Sequence, residues 1–366
     1  MTRPRRLASR LVGVACVLAL AGCTTPQWRS VAEPLPQKSA EERRLEDLSL
    51  RSDAIIADLV AATQPGCSAA VGILGEVAWA GAAGLADLST GAPVTTETRF
   101  DIASISKQFT ATAILMLQRE GKLALSDAIG QYVPGMPGWA DTVTLDQLIH
   151  HTARIPDFWV ELDDIGIGFG GAADQATTLA AIARETELEP GEGYLYSNSH
   201  YVLLAEVVAK VAGQTLPEFL AERIFTPLDL DMVVAPTLQG DDIARSYDDN
   251  GQLQVGGWTS YGHTGIITTP SELARWGDQY REGDIIQPDF ATGAVPEGAG
   301  ELYAAGIDIE VDGDLNHTGR WGGYVSDFTV SADRDTTIAV ACNGHLANRF
   351  GIADALWAIW EPHSKE

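Results

Sequence analysis

The sequence predicts an α+β fold, with a mostly antiparallel sheet and helices on its faces. Strand-like segments lie near both ends of the 366-residue chain, at 67–88 and 303–343, while helical runs dominate the stretch from about 140 to 280. No internal repeat of roughly 20 to 50 residues interrupts this pattern.

The elements follow in order. Residues 41–63 read as a helix, because Leu45, Leu48, Ile55, Ile56, Leu59 and Val60 recur at roughly helical spacing and Gln64-Pro65-Gly66 ends the run. Residues 67–88 read as two short strands turning at Gly75. The segment 104–120 is helical, with Gly121 just past its end. Helical runs continue at 200–212 and 271–281. Thr336 to Cys342 is apolar and β-branched and follows a turn at Asp333-Arg334-Asp335; residues 350–361 close the chain as a helix.

The first 22 residues are not part of the fold. Arg3, Arg5, Arg6 and Arg10 form a basic start, and Leu11 to Leu20 is an apolar run too short for a comfortable membrane span. Leu20-Ala21-Gly22-Cys23 resembles the bacterial lipobox, in which the cysteine becomes the acylated N-terminus. The expected organisation is a lipoprotein signal peptide at 1–22, a flexible tether at 23–40 rich in Thr, Pro, Gln and Ser, and one domain at 41–366. That places the protein outside the cytoplasm, held at the cell envelope by lipid on Cys23, and in the outer membrane of a Gram-negative cell because no Asp follows Cys23. Arg5-Arg6 raises twin-arginine export, but the residues after the pair match that signal poorly.

Composition is ordinary for a globular protein, 45% hydrophobic and 20% charged. Net charge is -26, or about -30 once the four leader arginines are removed (-26 minus 4). Such a surface disfavours nucleic acid and polyanionic substrates. The cysteines outside the leader and lipobox, Cys67 and Cys342, have no CxxC or His-rich spacing, so no metal site is expected.

Three motifs bear chemistry. Ser104-Ile105-Ser106-Lys107 places a hydroxyl and an amine one turn apart at a helix start, where burial and the helix dipole favour a neutral amine able to take the serine proton. The same helix start offers backbone N–H groups for an oxyanion. Tyr196-Ser197-Asn198 ends a glycine-rich loop before a helix; a phenolate held by cations is a strong base, and the Asn198 amide can bond both Lys107 and a substrate carbonyl. His317-Thr318-Gly319-Arg320 lies between strand-like segments, where His and Thr can donate to a substrate carboxylate and Gly319 permits close approach of substrate to an edge strand.

Together these motifs resemble the serine β-lactamase-related family, which includes class C β-lactamases, D-alanyl-D-alanine carboxypeptidases, D-aminopeptidases and some carboxylesterases. Its S-x-x-K, Y-x-N and K/H-T-G motifs occur here in order. Phe100-Asp101-Ile102-Ala103, Leu148-Ile149-His150-His151-Thr152 and Pro227-Leu228-Asp229-Leu230 resemble further family stretches, and the likeness covers roughly residues 50–360. It implies an antiparallel sheet flanked by helices plus an all-helical lobe, with the site in the cleft between. It also makes the first and last strands neighbours, so that Cys67 and Cys342 can form a disulfide, the alternative being two buried thiols.

By this resemblance Ser104 is the nucleophile, Lys107 and Tyr196 share the base role, and the N–H groups of Ser104 and Arg320 hold the oxyanion. No cofactor is implied. Ala153-Arg154 stand where the family has Ser-Gly, read here as a structural change of little catalytic consequence. Arg320 replaces a small residue and would narrow the site or bind a substrate carboxylate. His150 and His151 read as hydrogen-bonded scaffold. A second His-Thr-Gly, at His263-Thr264-Gly265, has no flanking strand pair and precedes a helix, so His317 is preferred. Gly166, Gly168 and Gly170 read as a loop at the rim of the site.

The leading functional expectation is a peptidase-type hydrolase on D-amino-acid peptides such as peptidoglycan fragments, because the triplet carries His. An esterase on short acyl esters, a class C-like β-lactamase and a non-catalytic envelope-binding lipoprotein are the alternatives. No G-x-S-x-G, Walker or zinc-protease motif is present.

Overall fold

The computed structural model describes residues 38–237, 239–286, 289–344 and 349–361. The leader, Cys23 and the tether up to Gln37 lie outside the described residues. Helix α1, Ala40–Leu59, begins where a Ser39/Glu42 capping box satisfies its first N–H groups, so ordered structure starts inside the expected tether. It ends earlier than its periodicity suggests, because Val60 turns extended and packs beside Gly84.

Helices α2 (Lys107–Arg119), α3 (Asn198–Ala212), α4 (Pro270–Trp276) and α5 (Arg349–Trp360) frame the site and the sheet. The main sheet comprises β1 (Cys67–Ile73), β2 (Glu76–Ala83), β3 (Val295–Gly298), β4 (Glu301–Tyr303), β5 (Asp308–Ile309), β6 (Leu315–Trp321), β7 (Tyr324–Val330) and β8 (Thr336–Cys342). Its order is β2-β1-β8-β7-β6-β5-β4-β3, antiparallel throughout. The strand-like region that the sequence begins at 303 is interrupted at once: β4 and β5 are separated by a turn in which Gly306 has φ +77° and packs on the Lys107 backbone.

β1 and β8 are buried along nearly their whole length because both faces of the sheet are covered. Cys67, Ala69, Val71, Ile338 and Val340 pack with α1 and α5 on one face. On the other face Gly72 lies under Ala274 of α4, where a Cβ would sit 3.0 Å from the Ala274 carbonyl oxygen. Pairing puts Cys67 opposite Cys342, and the two are disulfide-bonded. Beyond this face a helical lobe is built on α2 and α3. Its core includes Phe109, Leu117, Leu148, Phe158, Tyr201 and Phe219.

Candidate active site

The expected helix at 104–120 divides into a tight turn, Ala103–Ser106, and α2, so Lys107 is the first residue of the helix. Ala103 has φ +51°, a left-handed conformation costing about 1 kcal/mol or more for a non-glycine residue. The surroundings hold it there: Asp101 Oδ1 accepts from the Ala103 N–H at 2.8 Å, and Ser326 Oγ donates to the Ile102 carbonyl at 2.7 Å. β6 lies directly against this turn. A Cβ on Gly319 would fall 2.5 Å from the Ile102 oxygen and 2.2 Å from Ser326 Oγ. The space at Gly319 is therefore taken by the chain's own backbone, whereas the sequence reading reserved it for substrate.

Lys107 is fully buried. Its Nζ lies 3.1 Å from Ser104 Oγ, 2.8 Å from Asn198 Oδ1 and 3.0 Å from the His263 carbonyl oxygen. Burial lowers its pKa to about 7, against the pull of the nearby Asp157 carboxylate. The two carbonyl oxygens can only accept, so they engage two N–H groups. The third position of a neutral amine, its lone pair, then faces Ser104.

Asn198 opens α3. Its backbone N–H and its Nδ2 both donate to Asp157 Oδ2, at 2.9 and 2.8 Å, and its Oδ1 receives Lys107. Burial pushes Asp157 up, while the bonds from Asn198 pull it down. Asp157 went unnoticed in the sequence because an acidic residue after Pro156 and before the helix Phe158–Asp164 reads as an ordinary helix cap. Its Oδ2 is turned to Asn198 in the site.

The Tyr196 ring centroid lies 4.8 Å from Lys107 Nζ, and Ser104 is near enough to its hydroxyl to pull the phenol's pKa down against burial. Burial holds the phenol well above its ordinary pKa. The phenolate envisaged from sequence is thus disfavoured. His151, at φ +53°, packs against the Tyr196 ring with centroids 4.3 Å apart. Its carbonyl accepts from the Leu195 N–H at 2.7 Å, and its Nδ1 meets His200 Nδ1 at 2.8 Å. His150 Nδ1 bonds the Asp146 carbonyl at 3.0 Å.

His317 is buried beneath Tyr303, and burial plus the Lys107 charge lower it to about 3. Its Nδ1–H donates to the Thr318 carbonyl at 2.7 Å, leaving a neutral ring with no cation for a carboxylate. Strand alternation separates the rest of the motif. His317, Gly319 and Trp321 share the face toward α2, while Thr318 and Arg320 pair with Asp327 and Val325 on the face toward α5. The Arg320 side chain, one residue before the α2-facing Trp321 and therefore on the opposite face, does not narrow the site. The positive charge of Arg320 acts on Arg349 of α5. The second triplet contributes after all, through the His263 carbonyl on Lys107. Gly265 has φ +99°, and Ile266–Thr268 forms a short strand before α4.

The family model described as Beta-lactamase matches residues 52–359. Among curated relatives, a D-aminopeptidase from Brucella canis is 33% identical over 278 residues, 70% of this chain and 52% of that protein. Penicillin-binding protein 4* of Bacillus subtilis is 32% identical over 161 residues, 43% of this chain and 35% of that protein. The chain thus spans about half, or less, of the length of these relatives. Among solved structures, the octameric penicillin-binding protein homologue from Pyrococcus abyssi superposes with TM-score 0.71 at 25% identity, covering 88% of this chain and 78% of that one. D-amino acid amidase from Ochrobactrum anthropi SV3 shares the fold, with TM-score 0.72 at 21% identity over 86% of this chain and 98% of that one.

Proposed function

Because the chain belongs to the beta-lactamase family, we propose that it is a serine hydrolase acting through an acyl-enzyme on Ser104, with D-amino-acid peptides or amides as substrates. The observation that carries this is the buried Lys107, whose two carbonyl partners leave its third position on Ser104 Oγ.

In this reading Ser104 Oγ attacks the substrate carbonyl carbon and its proton passes to Lys107 Nζ. The oxyanion forms against the N–H groups of Ser104 and Arg320. The C–N bond breaks as the Tyr196 hydroxyl gives its proton to the leaving amine, and the Lys107 ammonium restores that proton. Water then cleaves the ester on Ser104: Lys107 accepts the water proton and returns it to Ser104 Oγ as the acid leaves. Asn198 and Asp157 hold Lys107 in place. D-Aminopeptidases among the relatives favour the peptidase reading over the esterase and β-lactamase readings. The lipobox at Cys23 supports a location on the cell envelope, where D-amino-acid peptides of peptidoglycan occur.

The test is intact-mass measurement after exposure to benzylpenicillin, with Ser104→Ala as control and penicillin loss followed in parallel. A lasting adduct, absent from the variant, is expected. Penicillin consumed without an adduct would turn the reading to a β-lactamase. Full retention of D-alanyl amide hydrolysis by Ser104→Ala would reject the scheme.

A further inference from the structure

Tyr196 is bracketed by a single residue. The N–H of Leu195, just before it, donates to the His151 carbonyl at 2.7 Å, and the N–H of Ser197, just after it, donates to His151 Nδ1 at 3.3 Å. The His151 ring also packs on the Tyr196 ring, with centroids 4.3 Å apart. At φ +53° the carbonyl and the ring of one residue thus reach the same loop.

His151 is held in turn by α3. Its Nδ1 lies 2.8 Å from Nδ1 of His200, the third residue of that helix. Tyr201, the next residue, sets its ring 5.1 Å from the His151 ring and donates its hydroxyl proton to the Ile149 carbonyl at 2.9 Å.

The hydrogen bonds decide where the protons of the histidine pair sit. Two Nδ1 atoms so close share one proton. The Ser197 N–H can only donate, so His151 Nδ1 presents its lone pair. His200 therefore carries its proton on Nδ1 and donates it to His151, which carries its own on Nε2. The opposite assignment would set the Ser197 N–H against a second N–H. Both rings are buried, and burial holds both below the ordinary histidine pKa, His200 at about 3. The contact is thus between two neutral rings in fixed tautomers.

We propose that His200 is a positioning residue for proton delivery: through His151 it fixes the Tyr196 hydroxyl at the leaving group of the substrate. The proposal rests on the reading above, in which Tyr196 gives its proton to the leaving amine. An amine needs that proton as the C–N bond breaks, whereas p-nitrophenolate leaves an ester as the anion. Displacing Tyr196 therefore slows amide cleavage and spares the aryl ester.

The test compares kcat/KM for D-alaninamide and D-alanine p-nitrophenyl ester in the full chain. The variants are His200→Leu, His200→Gln, His200→Asn, Tyr196→Phe and the double variant of Tyr196→Phe with His200→Leu, with Ser104→Ala as the blank. The two substrates share one acyl part and are measured on one preparation, so a misfolded fraction cancels in their ratio. The Asn amide nitrogen is bonded as Nδ1 is, one atom beyond Cβ–Cγ, and keeps the donor in place. The Gln nitrogen lies one bond further out and serves as a second disrupting variant beside Leu.

The expected result is an amide-to-ester ratio that falls roughly tenfold or more in His200→Leu and His200→Gln, stays near the parent value in His200→Asn, and falls no further when His200→Leu is added to Tyr196→Phe. A ratio unchanged in the Leu and Gln variants, a fall that Asn shares, or an equal further fall in the double variant overturns the positioning role alone. A ratio unchanged in Tyr196→Phe removes Tyr196 as the proton donor, and the positioning role with it. Absence of Ser104-dependent turnover of either compound overturns the catalytic reading as a whole.

Discussion

Lys107 carries opposite demands at the scale of one residue. Its amine must be neutral to accept the Ser104 proton, and burial lowers its pKa to about 7. We expect kcat/KM to climb with pH through about 7, as the ammonium gives way to the amine. Asp157 holds that value up, so Asp157→Asn, which keeps an acceptor for Asn198, should move the rising limb to lower pH in a pH–rate profile. The same burial costs stability. The unfolded lysine titrates near 10.5, above the folded value, so the unfolded chain binds more protons between about 7 and 10.5. This contribution to stability rises with pH across that window, and the penalty is fully present below it. Lys107→Met should therefore unfold at higher temperature than the parent at pH 6, with a gain on the order of a few kcal/mol. It should also form no penicillin adduct.

At the scale of elements, the loop before Tyr196 depends on Arg154. Where the resembling family carries glycine, Arg154 takes φ +58°. Its Nε donates to the Glu189 carbonyl at 2.9 Å, its guanidinium also bonds the Pro190 carbonyl, and the Glu189 N–H returns a bond to the Arg154 carbonyl. The side chain thus clamps the segment that delivers Tyr196 and Asn198, and strain of about 1 kcal/mol is accepted for it. The sequence alone gives this position little consequence, because a clamp onto carbonyls 35 residues away is visible only after folding. Arg154→Gly relieves the strain and loses the clamp. Thermal midpoint should change little while kcat falls roughly tenfold, measured by steady-state kinetics beside thermal unfolding.

For the whole molecule, the Cys67–Cys342 bond joins the two ends of the domain across neighbouring strands, 275 residues apart in sequence. In the chain-entropy account, closing so long a loop stabilises by about 5 kcal/mol. Free-thiol counting on the denatured, unreduced domain should find neither cysteine reactive, and Cys67→Ala with Cys342→Ala should lower the urea midpoint. The proposed lipid anchor is tested separately: if Cys23 carries it, Cys23→Ser should move the protein from the membrane fraction to the soluble one, read by fractionation of producing cells.

The sequence by itself determined the α+β class, the main helices and strands, and the groups Ser104, Lys107, Tyr196 and Asn198. Their spacing is local: a helical turn fixes Ser104 against Lys107, and one loop presents Tyr196 and Asn198. Tertiary structure decided what those groups meet and which proton state they hold. Asp157 and the His263 carbonyl come from other segments, and burial, which no short motif encodes, lowers Lys107 while raising Tyr196. It also decided the third motif. Strand register turned His317 inward as a neutral ring and Arg320 away, because alternation along β6 is fixed only by pairing with β7 and by what covers each face of the sheet.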